Sequence, residues 1–156
     1  GCRERNSDIS IMKPHLAHAV FAEAIESGDV LTVKSLIQSN PKLMDHPDWT
    51  PPPLHCAILW DQPKIVEVML ESGADLEMLD PDRRTAPLRY AILYCKIDLV
   101  PILRLAGANY GAINGMTSHQ LAVHAAAGGY EEFDDLPRAD EYQEVIHVLN
   151  KHGIKS

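Results

Sequence analysis

Two histidines three residues apart, His15 and His18, are the closest thing in the chain to a metal-binding pair. On a helix that spacing would place both rings on one face. No third ligand is adjacent, so ordinary surface or capping histidines are expected. His119 and His124 fall about one and a half helical turns apart and do not face each other well. Cysteines stand at 2, 56 and 95, and there is no Cys-x-x-Cys and no His-Glu-x-x-His. No zinc site is therefore written in the chain. Cys56 and Cys95 lack a nearby His-Asp pattern that would activate a thiol, and both are expected to fill small buried spaces. Gly107, Gly111 and Gly115 keep a four-residue rhythm without the Lys that a phosphate-cradling loop requires. The expectation is no catalytic residue, no metal and no cofactor.

A chain of 156 residues fits one domain. Such a domain buries about two-thirds of the surface of its unfolded chain, enough to fold without disulfides or metal. Lys plus Arg number 14 against 22 for Asp plus Glu, a formal charge of -8. That balance repels phosphate backbones and anionic lipid, so no nucleic-acid partner is expected. The one adjacent basic pair is Arg83-Arg84. Apolar residues make up 46% of the chain, which excludes wholesale disorder. No apolar run approaches the ~18 residues of a membrane span. Three cysteines are an odd number without metal-like pairing, so a reducing, cytoplasmic setting is expected. No charged-then-apolar signal segment opens the chain, although a lipid-bearing Cys2 stays open as the alternative to an ordinary cysteine.

Any catalytic or binding group must be carried by the chain's repeating elements. Ala24-Ile25, Ala57-Ile58 and Ala91-Ile92 recur at 33 and 34 residues, and Gly73-Ala74-Asp75 and Gly107-Ala108-Asn109 are again 34 apart. Apolar steps fall between them in register: Val33 with Leu36-Ile37, Ile65-Val66 with Met69-Leu70, and Leu99-Val100 with Ile102-Leu103. A fixed period of this length indicates stacked helical units.

Each unit reads as two short helices. The first, such as Pro53 to Trp60, opens on Pro, whose fixed φ and missing N–H suit a first helical turn. The second runs from about Lys64 to Ser72 with an apolar face at i, i+3 and i+4, and Gly73 supplies the left-handed residue that ends it. About a dozen polar and turn residues follow, with Asp80-Pro81-Asp82 expected at a projecting tip.

The run Pro52-Pro53-Leu54-His55-Cys56-Ala57-Ile58, followed by Ile65 through Gly73-Ala74-Asp75, resembles the ankyrin repeat family. It recurs as Thr85-Ala86-Pro87-Leu88-Arg89-Tyr90-Ala91-Ile92 with Leu99-Val100 through Gly107-Ala108-Asn109. The family's signature threonine is Pro52 in one unit and Thr85, displaced by one, in the next. Its histidine is His55 and then Arg89, and the glycine between its helices is Asp61 and then Cys95. In the family those Thr and His side chains tie one turn to its neighbour, so their loss implies lower local stability, not another fold.

The resemblance implies an all-α fold, an ankyrin-repeat solenoid of about four helix-turn-helix units with projecting β-turn or hairpin tips. Residues 1–13 form a tail and residues 14–154 one domain, with units at about 16–45, 46–80, 81–113 and 114–154. The first unit is a cap-like version. In the fourth, Ala122-Val123 stands for Ala-Ile, and the second helix is expected over Glu141 to Lys151. Val145 lies far enough after Ala122 that roughly 15 residues are inserted between the helices, near 128–140. A last helix ending near His152-Gly153 leaves little room for a further cap, which favours a complete C-terminus.

In the family the exposed first-helix positions lie at the helix end. Here they are Glu26 and Ser27, Leu59 and Trp60, Leu93 and Tyr94, and His124 and Ala125. Leu-Trp and Leu-Tyr stand where polar residues would suffice, and aromatics there would serve as binding anchors. The alternative is that Trp60 and Tyr94 pack on each other and on an adjacent segment. The acidic insertion would fold over the concave face, with Tyr130 or Phe133 touching Tyr94, would grip a basic partner, or would stay solvated. At the tips, Trp49 would contact a partner or cover the first unit. Arg83 and Arg84 would bind an acidic segment or remain solvated.

The expected function is a non-catalytic, monomeric protein-interaction domain using the concave face and the tips. The alternative is a small inhibitory protein that masks an enzyme with residues 128–140. Deleting that loop separates the two.

Overall fold

In the computed structural model the described residues are 14–45, 51–81, 84–109, 117–127 and 136–152. They form eight α-helices: α1 (Pro14–Ser27), α2 (Val30–Ser39), α3 (Pro53–Leu59), α4 (Pro63–Glu71), α5 (Pro87–Leu93), α6 (Leu99–Leu105), α7 (Ser118–Ala126) and α8 (Tyr142–Lys151). Short 3-10 turns cover Pro41–Asp45 and Ala139–Glu141. No strand occurs among the described residues, as an all-α repeat fold requires.

Helix starts follow from local chemistry. Pro occupies the first turn of α3, α4 and α5, where its missing N–H costs nothing. α2 starts on Asp29, whose carboxylate accepts from the Thr32 amide (3.2 Å) and hydroxyl (2.6 Å). α7 has no such Pro and uses a capping box. The Thr117 hydroxyl accepts from the Gln120 amide (3.1 Å), and the Gln120 side chain accepts from the Thr117 amide (2.9 Å).

Helix ends explain the period. Asp29 N–H donates to the Ala24 carbonyl and Gly28 N–H to that of Ile25. Gln62 and Asp61 do the same to Ala57 and Ile58, and Lys96 and Cys95 to Ala91 and Ile92. Each set is a Schellman closure, which needs a left-handed residue at its turn. Gly28, Asp61 and Cys95 supply it at φ 77°, 54° and 55°. The recurring Ala-Ile pairs are thus the acceptors of a recurring cap. The second helices α4 and α6 close the same way through Gly73 and Gly107.

The chain divides into two compact units. The N-terminal unit holds the described residues up to Asp75 together with Asp80 and Pro81. In it α1 packs on α2 and α3, α2 on α4, and α3 on α4. Its core is Phe21, Ile25, Val33, Leu36, Leu43, Ile58, Ile65 and Met69. The C-terminal unit holds Leu76–Leu79 and the described residues from Arg84 on. There α5 packs on α6 and α7, and α7 on α8, around Leu88, Ile92, Leu99, Leu103, Leu121, Val145 and Leu149. Each buried aliphatic contributes about 1.5–3 kcal/mol. Ala24, Ala57, Ala91 and Ala122 are all buried, and their small side chains permit close approach of the first helices within each unit.

Asp80, expected with Pro81 and Asp82 at a projecting tip, is buried, while Pro81 is exposed. Asp80 is 2% exposed and lies inside the N-terminal unit, near enough to Cys56 for its negative charge to act on that thiol.

Candidate functional site

The candidate site is the end of each first helix. The Schellman turn reverses the chain there, so the residues just before the left-handed one project at the helix terminus. In the N-terminal unit these are Leu59 and Trp60. Leu59 is half-buried, whereas Trp60, the C-cap of α3, leaves 49% of its surface exposed. The corresponding residues of α1, Glu26 and Ser27, are exposed.

A side-chain tie fixes this end of the unit. Gln62, which follows the left-handed Asp61, donates from Nε2 to the carbonyl of Glu26 at 3.3 Å. Its amide also lies against Gly28, where a Cβ would meet Oε1 at 2.9 Å. The end of α1 is thereby held against the turn that carries Trp60 and Asp61.

The C-terminal unit treats the same positions differently. Leu93 was expected at an exposed position and is 3% exposed. The reason lies in α8. Tyr142, itself buried, donates its hydroxyl to the Leu93 carbonyl, and its side chain occupies the space beside the end of α5. Tyr94 is half-buried and lies beside Tyr90, with ring centroids 4.7 Å apart and planes tilted by 47°. In α7, His124 is exposed but Ala125, expected beside it at an exposed position, is 4% exposed. That helix continues to Ala126, so Ala125 still lies on its packed face.

Arg84 is exposed, with a left-handed φ of 51°. Trp49, Arg83, Tyr130 and Phe133 lie outside the described residues, as does the expected contact of Tyr130 or Phe133 with Tyr94. Of the expected binding residues that the structure describes, Leu59 and Trp60 adjoin at the end of α3, Leu93 and Tyr94 adjoin at the end of α5 with Leu93 buried, and Arg84 is exposed.

Both described thiols are held protonated. Burial, and then the Asp80 charge, pushes Cys56 up to about 11. Its Sγ donates to the Pro51 carbonyl at 3.3 Å. Burial, then Glu141, pushes Cys95 up to about 12 against the opposing pull of Lys96. A thiol in that state is a poor nucleophile. Among the described residues no group of three or more His, Cys, Asp or Glu is placed to hold a metal ion, and no helix is long and apolar enough to cross a membrane.

The ties formed by Gln62 and Tyr142 escaped sequence reasoning. Their signal was positional: each stands three residues before the first apolar step of its second helix, Ile65 and Val145. A further tie, from the Asn109 amide to the Glu77 carboxylate at 2.9 Å, joins the Gly-Ala-Asn turn to the segment at 76–79.

A family model described as ankyrin repeats, in three copies, matches residues 21–114, more than half of the chain. An Arabidopsis thaliana protein named "Putative E3 ubiquitin-protein ligase XBAT31" is 27% identical over 115 residues, which cover 72% of this chain and 25% of that protein. The chain thus spans about a quarter of that relative's length.

Proposed function

Because this chain belongs to the ankyrin-repeat family, a family of protein-interaction modules, we propose that it binds a partner protein non-catalytically through the exposed ends of its first helices. Trp60 carries this reading. A half-exposed indole costs solvation, and Trp is enriched among residues that dominate binding energy. Its exposure lies beside a backbone tied by Gln62, so little ordering entropy is lost when a partner docks. The proposed contact is the first-helix end of each unit, with Leu59 and Trp60 as its apolar members in the N-terminal unit and Tyr94, with Arg84 at a turn, in the C-terminal unit. The match to the protein named above covers a quarter of that protein's length, so its activity is not carried over.

The test is affinity capture from native extract with wild type beside Trp60→Ala. The reading expects a protein retained by wild type and lost from the variant, with the melting temperature unchanged. A variant that keeps every captured protein, or that unfolds, contradicts it.

A further inference from the structure

In the N-terminal unit the surface around Trp60 is acidic as well as aromatic. Asp61 follows Trp60 directly and is exposed, held by its left-handed backbone at φ 54°. Glu26, also exposed, stands at the end of α1, and its carbonyl is tied to Gln62 at 3.3 Å. Among the described residues neither carboxylate takes part in an ion pair. Lys64, three residues after Asp61, pairs with Glu67 at 3.6 Å. Two exposed carboxylates, one adjoining Trp60 in the chain and one at the helix end tied to Gln62, thus share the end of the unit that carries a large, half-exposed indole.

Each feature favours the same ligand chemistry. An indole face attracts a cation more strongly than any other side-chain ring. Carboxylates at the same end of the unit add Coulomb attraction to the same charge and repel an acidic segment. We infer that the end of α3, where Trp60 and Asp61 adjoin and Gln62 ties on the end of α1 with Glu26, takes a basic segment of the partner protein, one Lys or Arg lying over the indole. This rests on the reading of Trp60 as a recognition residue and adds the class of partner. The chain's overall charge of -8 steers such a segment toward the domain before contact.

The probe is a random-peptide display library, selected on wild-type protein and counter-selected on Trp60→Ala. Enriched peptides are then synthesised and titrated against wild type and the double variant Glu26→Gln, Asp61→Asn. Both changed side chains are exposed, and Asn tolerates the left-handed backbone, so the double variant keeps its fold. The expected result is enrichment of Lys or Arg, binding that weakens with salt, and affinity about tenfold lower in the double variant. Trp60-dependent peptides that are neutral or acidic, or basic ones that bind the double variant as they bind wild type, overturn the basic-partner inference and leave recognition through Trp60 standing. A selection that yields no Trp60-dependent peptide overturns both.

Discussion

The hydroxyl of Tyr142 donates to the main-chain carbonyl of Leu93 in the interior of the C-terminal unit. In the N-terminal unit the side chain of Gln62 donates to the carbonyl of Glu26. The two bonds are equivalent. Glu26 is the second residue after Ala24, and Leu93 the second after Ala91. Gln62 stands three residues before Ile65, and Tyr142 three before Val145. A donor at one fixed place thus reaches back to the helix end of the preceding repeat. The second bond survives although Tyr142 lies twenty residues beyond Ala122, where Lys96 lies five beyond Ala91.

Removing the Tyr142 hydroxyl leaves a buried carbonyl short of a donor. Tyr142→Phe is expected to cost about 1–2 kcal/mol, read as a lower urea midpoint with an unchanged slope. Leu93→Ala, which opens a cavity in the core, is expected to cost about 2–5 kcal/mol. Equal midpoints for Leu93→Ala and wild type would return Leu93 to the exposed surface.

The left-handed turns make opposite predictions for glycine. Asp61 is exposed, and its φ of 54° is adopted more readily by Gly than by Asp or Asn. Asp61→Gly is expected to stabilise the fold by about 0.5–1 kcal/mol in thermal unfolding. Gly28→Ala is expected to destabilise it by more than about 1 kcal/mol. There the new methyl meets the Gln62 amide at 2.9 Å as well as a φ of 77°.

The first helix of the last unit depends on its cap. Thr117→Ala removes the acceptor of the Gln120 amide. A loss of about 1 kcal/mol is expected, with hydrogen exchange fastest in the first turn of α7. Uniform exchange across that helix would show that the cap contributes nothing.

The thiols set an alkaline limit. An unfolded thiol titrates near 9.0, whereas the folded chain holds Cys56 to about 11 and Cys95 to about 12. Between those values the unfolded state has released protons that the folded state keeps. Their stabilisation is complete below pH 9 and is lost as pH rises through the folded values. Alkylation of Cys56 and Cys95 at pH 8 is expected to be slow until denaturant is added, with peptide mapping as the readout. Rapid native labelling would contradict the burial of both groups.

The repeat was legible because the closure that ends each first helix reuses the same backbone acceptors, and a tight turn leaves little freedom in which residues supply them. Helices opening on Pro53 and Pro87 were visible for the same local reason. Leu59-Trp60 and Leu93-Tyr94 looked alike because they share a register. What separates them is Tyr142, which arrives from beyond an insertion and reaches Leu93 only in three dimensions. Asp80 read as a turn-tip charge because Asp-Pro-Asp is turn chemistry, and its burial inside the N-terminal unit is a tertiary outcome. The exposure of Trp60 is likewise a tertiary fact that no spacing encodes.

The account's central claim is that Trp60 is left open in the free domain so that a partner can cover it. With Trp49 replaced by Phe, Trp60 is the chain's sole tryptophan, and acrylamide quenching of its emission can be measured with and without the captured partner. Ready quenching in the free domain and marked protection in the complex are predicted. Equal quenching in both states would contradict the claim.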